Sequence, residues 1–236
     1  MLSIVIPTLN EEKYLPRLLD SIKNQDFSDY EIIVSDAESS DKTIEIAKKY
    51  GAKTLVYTTT KHPSAQRNEG AKIAKGELLL FLDADVVLTP GFLTSALKEF
   101  KDRQLSVAAF YIKFNPNRWY YNFYSFISNA VCFLKQKSKF PAAIGAGLLV
   151  DRKAHEAVKG FDLSVALSED CDYCARLSRS KYKFRMLKSC RLLYSARRIE
   201  KEGFIKSGLK WFLMGLFTIS NQRIKKNIVR YDFGKF

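Results

Sequence analysis

An α/β fold with a mostly parallel, Rossmann-like sheet flanked by helices is predicted by three features of the 236-residue sequence. Apolar runs alternate with helix-period segments through the first hundred residues. These runs are rich in Ile, Val and Leu on both faces, as strands covered on both sides must be. Capping and turn residues mark the joins, so successive βα units with right-handed crossovers follow. The runs at 3–7, 31–35, 53–57 and 77–82 read as strands. Between the first two, Leu15, Leu18, Leu19 and Ile22 recur at helical spacing. Asp41 is placed to cap a helix running to Tyr50, with Gly51 at its stop, and Ser64 to cap another through Lys75, with Gly76 ending it. Thr89-Pro90 would open a fourth, using the position where proline's missing N–H costs nothing.

Beyond residue 105 the pattern is looser. Segment 105–114 reads as a strand and 119–134 as a helix, with Phe123, Phe126, Ile127, Ala130, Val131 and Leu134 on one face. Segment 142–151 reads as a turn and strand. Segment 168–180 reads as a helix opening with acidic residues, which its dipole favours, and 184–193 as a last strand. A C-terminal amphipathic extension follows, with Ile205, Leu209, Phe212, Leu213, Leu216 and Phe217 at helical spacing and Lys201, Lys206 and Lys210 beside them. The expected division is a domain at 1–198, its halves meeting at 104/105, and a basic segment at 199–236.

With 47% hydrophobic residues the chain is neither disordered nor collagen-like. Its formal charge of +14 is unevenly placed: residues 1–172 hold equal numbers of basic and acidic side chains, and the whole excess lies after them. A basic tail on a neutral domain fits an anionic surface. The four cysteines are too few for a disulfide scaffold and point to a reducing compartment; Cys171 and Cys174 read as helical neighbours in a core. The first residues lack the basic start of a signal peptide, and the uncharged stretches at 119–134 and 211–222 fall short of the ~20 apolar residues that span a bilayer. Both carry aromatics suited to a headgroup region, so peripheral contact at the inner face of the cell membrane is expected. The alternative is that both helices pack against protein.

In a sheet of this kind ligands bind outside the carboxyl ends of the strands, and there the residues are acidic: Glu11 and Glu12, Asp36, Glu38 and Asp41, then Asp83 and Asp85. Asp83-Ala84-Asp85 closes the most apolar run in the chain. Carboxylates at i and i+2 point the same way, so both can reach one hard cation, Mg²⁺ or Mn²⁺, which would bridge a diphosphate.

Taken in order, Ile4-Val5-Ile6-Pro7-Thr8-Leu9-Asn10-Glu11-Glu12, Asp36-Ala37-Glu38-Ser39-Ser40-Asp41, Arg67-Asn68-Glu69-Gly70, Asp83-Ala84-Asp85, Gly160-Phe161-Asp162 and Glu169-Asp170-Cys171-Asp172 resemble family 2 glycosyltransferases of the GT-A fold, with the branch near dolichol-phosphate mannose synthase a plausible neighbourhood. The resemblance covers roughly residues 1–200. It implies an inverting, metal-dependent transfer of a hexose from UDP or GDP to an acceptor that is lipid-linked or a glycan. It also implies that Pro7, Leu9 and Glu11 lie against the nucleotide, that Asp36 and Glu38 serve the base, and that Arg67 pairs with acidic residues or phosphate. Asp83, Ala84 and Asp85 would hold the sugar nucleotide and the metal. Asp170 is the implied general base, with Glu169 and Asp172 competing for the role. Leu9 stands where many members have an aromatic. The histidine that often completes the metal site has no counterpart; Arg197-Arg198 stands in that region and could take up phosphate charge. Ser39 and Asp41 could merely cap a helix, and His155 reads as a surface residue.

Two other readings compete. A haloacid-dehalogenase-like phosphatase also uses Asp-x-Asp after a buried strand, but its strand comes early in the chain. A nucleic-acid-binding protein would explain the basic tail but not the acidic sheet edge; no nucleic-acid partner is expected. Oligomeric state, sugar and base are not legible.

Overall fold

The computed structural model describes residues 1–203 and the two-residue strand 224–225. Four strands, β1 (Leu2–Thr8), β2 (Tyr30–Asp36), β3 (Lys53–Val56) and β4 (Leu78–Leu82), lie parallel in the order 3-2-1-4. The helices that connect and follow them are α1 (Leu15–Lys23), α2 (Thr43–Lys49), α3 (Pro63–Ile73) and, after the short β5 (Val86–Leu88), α4 (Phe92–Asp102). Then come β6 (Val107–Asn115), α5 (Trp119–Lys135), β7 (Gly147–Asp151), α6 (Arg152–Ala157), β8 (Val165–Leu167), α7 (Glu169–Arg179), β9 (Phe184–Ser195), α8 (Arg197–Glu202) and β10 (Ile224–Lys225). The main sheet has eight strands, β3-β2-β1-β4-β7-β6-β9-β5. It is parallel through β4; β7 then runs antiparallel to both β4 and β6, β6 is parallel to β9, and β5 closes the far edge antiparallel to β9. β10 pairs with β8 in a separate two-stranded ribbon.

Alternating residues of each strand feed two cores. Ile4, Ile6, Leu80 and Leu82 face Leu15, Leu18, Leu19, Phe92 and Phe100 of α1 and α4. Val5, Leu79 and Phe81 face Ala71, Ala154, Tyr173 and Leu177 of α3, α6 and α7. This is why the central runs are apolar on both faces. A Cβ at Gly70 would sit 2.4 Å from Val5 Cγ1, so only glycine lets α3 lie this close to β1.

Three expected helix starts are displaced. α2 begins at Thr43 rather than at a cap on Asp41, though Asp41 Oδ1 still accepts from the Thr43 N–H at 3.0 Å. α3 is capped by His62, whose Nδ1 accepts from Ser64 N–H, because Pro63 fills the first turn; it ends at Ile73, before Gly76. α4 opens after Gly91, which at φ 69° takes a left-handed turn that Thr89-Pro90 could not supply. α5 has the expected span, but its Phe123–Leu134 face is largely exposed while Tyr121, Ser125 and Cys132 point inward. His155 is buried rather than on the surface, with its Nδ1 2.7 Å from Tyr173 Oη. Burial pushes its imidazole down to about 4. The four cysteines are all free thiols. No helix among the described residues is long and apolar enough to cross a membrane. The amphipathic segment expected at 204–220 lies outside the described residues.

Candidate functional site

The carboxyl ends of β1, β2 and β4 meet the N-terminal end of α7 and the β9–α8 junction along one edge of the sheet. Side chains stitch the loops after β1 and β2 together. Asn10 N–H donates to Ser39 Oγ at 2.8 Å, Glu11 N–H to Thr43 Oγ1 at 2.8 Å and Glu12 N–H to Asp41 Oδ2 at 3.0 Å. Ser39 and Asp41 therefore do more than cap a helix. Asp36 is wholly buried and accepts from Thr8 Oγ1 at 2.7 Å, Ser39 Oγ at 2.6 Å and Ser39 N–H at 2.7 Å. Three of its roughly four acceptor sites are thus taken. Glu38 is exposed at φ 60°, and Pro7, Leu9 and Glu11 are partly exposed along the same rim.

One buried and one half-buried guanidinium group organise the carboxylates. Arg67, projecting from α3, donates through Nη2 to Asp83 Oδ1 at 2.7 Å and through Nη1 to Glu169 Oε1 at 2.8 Å. Nη2 also lies 3.4 Å from the Gly145 carbonyl, and the guanidinium sits over the Phe161 ring. One planar fork thus joins the end of β4 to the start of α7. Arg197 grips Glu11 with both Nη atoms, at 2.6 and 2.7 Å, and pairs through Nε with Asp85 Oδ2 at 2.8 Å. It lies over the Tyr14 ring, 4.4 Å from the centroid. Ala84, buried between the two aspartates, leaves their side chains to diverge toward different arginines.

The acidic residues of α7 now separate. Glu169 is bound by Arg67, which holds its carboxyl below the ordinary value against its burial. Asp172 is taken up by Arg176, whose Nε lies 2.8 Å from its Oδ2. Asp170 has no such partner among the ion pairs of the described residues; its Oδ1 accepts from Cys171 N–H at 2.9 Å. Burial, and then the charge of Glu169, push it up to about 7. A Cβ at Gly145 would come within 3.0 Å of Asp170 Oδ2, so the bare backbone there leaves the carboxylate reachable. Asp85 is likewise raised to about 7, mainly by burial, although Arg197 and the charge of Arg198 oppose the rise.

Among the described residues no group of three or more His, Cys, Asp or Glu side chains is disposed to hold a metal ion by itself. The expectation that Asp83 and Asp85 share one cation therefore changes form: each already meets one arginine. The donor chemistry still suits a hard divalent ion. Five carboxylates (Glu11, Asp83, Asp85, Glu169 and Asp170) gather about Arg67 and Arg197, and three of them, Glu11, Asp85 and Asp170, are raised, first by burial and then by their acidic neighbours. A cation with open positions for phosphate oxygens, held by the pair from β4, suits that gathering of acids.

Sequence reasoning missed three contributors. Gly145 lies in an apolar loop without a charged signal. Asn68 holds the turn at Phe161 through that residue's N–H and carbonyl, both at 2.8 Å. Tyr14 sits in a stretch that reads only as the approach to α1. Arg67 next to Asn68 was the legible trace of the second.

A model of the family described as "Glycosyl transferase family 2" matches residues 3–159. The chain is 39% identical over 90 residues to the poly(ribitol-phosphate) β-N-acetylglucosaminyltransferase TarS of Staphylococcus aureus, covering 35% of this chain and 16% of that protein. It is 36% identical over 104 residues to the GalNAc(5)-diNAcBac-PP-undecaprenol β-1,3-glucosyltransferase of Campylobacter jejuni, covering 42% of this chain and 34% of that one. In structure it resembles S. aureus TarS, with a TM-score of 0.68 at 22% identity over 83% of this chain and 60% of that chain. It also resembles the mannosyltransferase PcManGT of Pyrobaculum calidifontis in complex with GDP-Man and Mn²⁺, with a TM-score of 0.68 at 20% identity over 80% of this chain and 56% of that chain. The sheet flanked by helices is thus the GT-A architecture. The chain spans well under half the length of these sequence relatives.

Proposed function

Since this chain belongs to glycosyl transferase family 2, we propose that it moves a hexose with inversion from a UDP- or GDP-linked donor to an acceptor hydroxyl, on a lipid-linked or glycan acceptor, at the inner face of the cell membrane. Residues 1–198 form the catalytic unit in this reading, with the donor bound by 1–104, the acceptor by 105–198, and the basic segment after 198 outside it.

The observation that carries the reading is the Arg67 fork. It joins Asp83, on the donor side, to Glu169, on the acceptor side, and leaves the neighbouring Asp170 as the raised carboxyl. Glu11 and the rim from Pro7 to Leu9 flank the nucleotide. Asp83 and Asp85 would hold a Mn²⁺ or Mg²⁺ ion with the oxygens that the arginines leave open, and when bound the ion would offset the charge that develops on the departing diphosphate. Arg197 stands where a further metal ligand is often found and turns to the diphosphate oxygens, for which its planar fork is suited. Asp170 takes the proton of the acceptor hydroxyl as the sugar carbon is attacked from the side opposite the diphosphate. Its value near 7 suits a base that must hold and release a proton at neutral pH. Arg67 keeps Glu169 ionised, so that the proton goes to Asp170.

The names of the Campylobacter and Staphylococcus relatives support an acceptor carrying phosphate or a polyprenyl chain. The test is a thermal-shift screen of UDP- and GDP-sugars with Mn²⁺, followed by turnover of the sugar that binds. A raised melting temperature with one donor, retained in Asp170→Asn while transfer is lost, is expected. No shift with any donor would refute the reading.

A further inference from the structure

The outward face of α5 plays no part in the chemistry above. Trp119, Phe126 and Leu134 are 80%, 70% and 77% exposed, and Phe123, Ile127 and Phe133 are exposed beside them. Positions 119, 123, 126, 127, 130 and 134 fall on one stripe of the helix, about 22 Å long at ~1.5 Å per residue. The opposite face secures the helix to the sheet: Asn129 donates to the Ile112 carbonyl at 2.9 Å and accepts from its N–H at 3.0 Å. The stripe is therefore held in place rather than waiting to fold inward.

The sequence on either side of it is of one sign. Between Asp102 and Asp151 the sequence has no carboxylate side chain and six basic ones: Arg103, Lys113, Arg118, Lys135, Lys137 and Lys139. Lys113, Arg118, Lys137 and Lys139 are exposed, and Lys188 Nζ lies over the Phe133 ring at 5.8 Å. A second copy of this face would set cation against cation. Residues 204–236 carry seven basic side chains and one acidic, so that segment also brings like charge. An anionic bilayer brings the opposite charge together with apolar depth for the rings.

We propose that the exposed stripe of α5 docks this chain on anionic phospholipid, with Trp119, Phe123, Phe126 and Leu134 entering the headgroup boundary and Lys137 and Lys139 meeting the lipid charge. The inference deepens the membrane-surface reading above and rests on it. The placement serves the acceptor side. The chain leaving α5 reaches Gly145 beside Asp170, and Tyr121 Oη donates to Glu200 of α8 at 3.2 Å, tying the helix to the element that begins with Arg197.

The test is sedimentation of the full chain with vesicles of phosphatidylcholine alone and of phosphatidylcholine with phosphatidylglycerol, in three forms: wild type, Phe123→Ser/Phe126→Ser/Leu134→Ser, and Lys137→Glu/Lys139→Glu. All five positions are exposed, so a folded protein is expected, and an unchanged melting temperature checks it. Wild type is expected to pellet with the anionic vesicles and not the neutral ones, and each variant to partition at least about tenfold less, the serine variant because it loses three apolar side chains from the boundary and the glutamate variant because it loses two basic residues worth ~1 kcal/mol each at the surface. Undiminished pelleting of both variants, equal binding to neutral vesicles, or a wild-type dimer that the serine variant dissociates would overturn the proposal. No substrate enters the assay, so absent transfer activity leaves its outcome intact.

Discussion

Replacing Arg67 by Met should both destabilise the protein and change how its stability depends on pH. Arg67 is 3% exposed, Glu169 15% and Asp83 29%. Removing one member of a buried ion pair costs about 3–5 kcal/mol because a buried charge is left uncompensated. Asp83 reaches solvent and can recover part of its hydration, so the low end applies, about 3 kcal/mol. At ~2–4 °C per kcal/mol for a chain of this size, the melting temperature should fall by about 6–12 °C near neutral pH. In the wild type Arg67 holds Glu169 below its unfolded value, so this contribution is present above that value and lost only as pH falls through the lower folded one. In the variant, burial is unopposed and Glu169 titrates above its unfolded value, as Asp170 already does. That penalty is fully present at neutral pH and fades as pH falls toward the ordinary carboxylate range. The gap between variant and wild type should therefore narrow from about pH 7.5 to about pH 5, as read by circular dichroism melts at both values. Arg67→Met/Glu169→Gln should recover part of the loss. A gap that widens on acidification, or a double variant no more stable than the single one, would refute the pairing as described.

Asp170→Asn should lower kcat by about 10²–10⁴-fold, the usual worth of a general base, while the donor-induced thermal shift stays. In the wild type, kcat/KM should fall as pH drops through about 7, because the base must be deprotonated. Arg197→Lys keeps the charge but loses the fork on Glu11; donor KM should rise about tenfold or more with a smaller change in kcat, measured by steady-state kinetics. Asp85→Ala, or chelation of divalent ions in the wild type, should abolish the donor-dependent thermal shift, and a shift that survives both would remove the metal from the account. His155→Phe should leave donor binding unchanged while lowering the melting temperature, since Tyr173 Oη then loses its partner in the core.

The first four βα units were legible because their signals are local. Runs such as Leu78–Leu82 are apolar on both faces only when sheet and helices cover both, and the polar residues that end them must then line the rim. The helix starts moved by a residue or two where competing turn residues sat side by side, as with His62-Pro63 against Ser64. Beyond residue 105 the governing contacts are long-range. Nothing near position 197 in the sequence announces a partner 186 positions away in Glu11, and nothing near Gly145 announces Asp170. The helical period of α5 was plain, but period alone does not say which face turns inward. Asn129 settles that through a backbone it meets only in three dimensions. His155 read as a surface residue for the same reason: its neighbours Asp151, Arg152 and Lys153 are charged, while its hydrogen-bond partner arrives from α7.

The two arginines and the raised carboxyls answer one electrostatic problem. Carboxylates gathered at a sheet edge repel each other and cannot all stay ionised when buried. Arg67 and Arg197 answer it by pairing with Asp83, Glu169 and Glu11, and those pairs tie the loops after β1 and β4 to the start of α7 and the β9–α8 junction. Asp85 and Asp170 are both pushed up to about 7, first by burial. In the proposed reaction the first of these would meet a cation and the second a hydroxyl proton. A cation arriving at Asp85 must displace its share of protons, so its binding should strengthen as pH rises through about 7. Isothermal titration with Mn²⁺ in buffers of different ionisation enthalpy reads that release directly. Binding without proton release near neutral pH would mean that Asp85 is already ionised, and that Arg197 alone balances it.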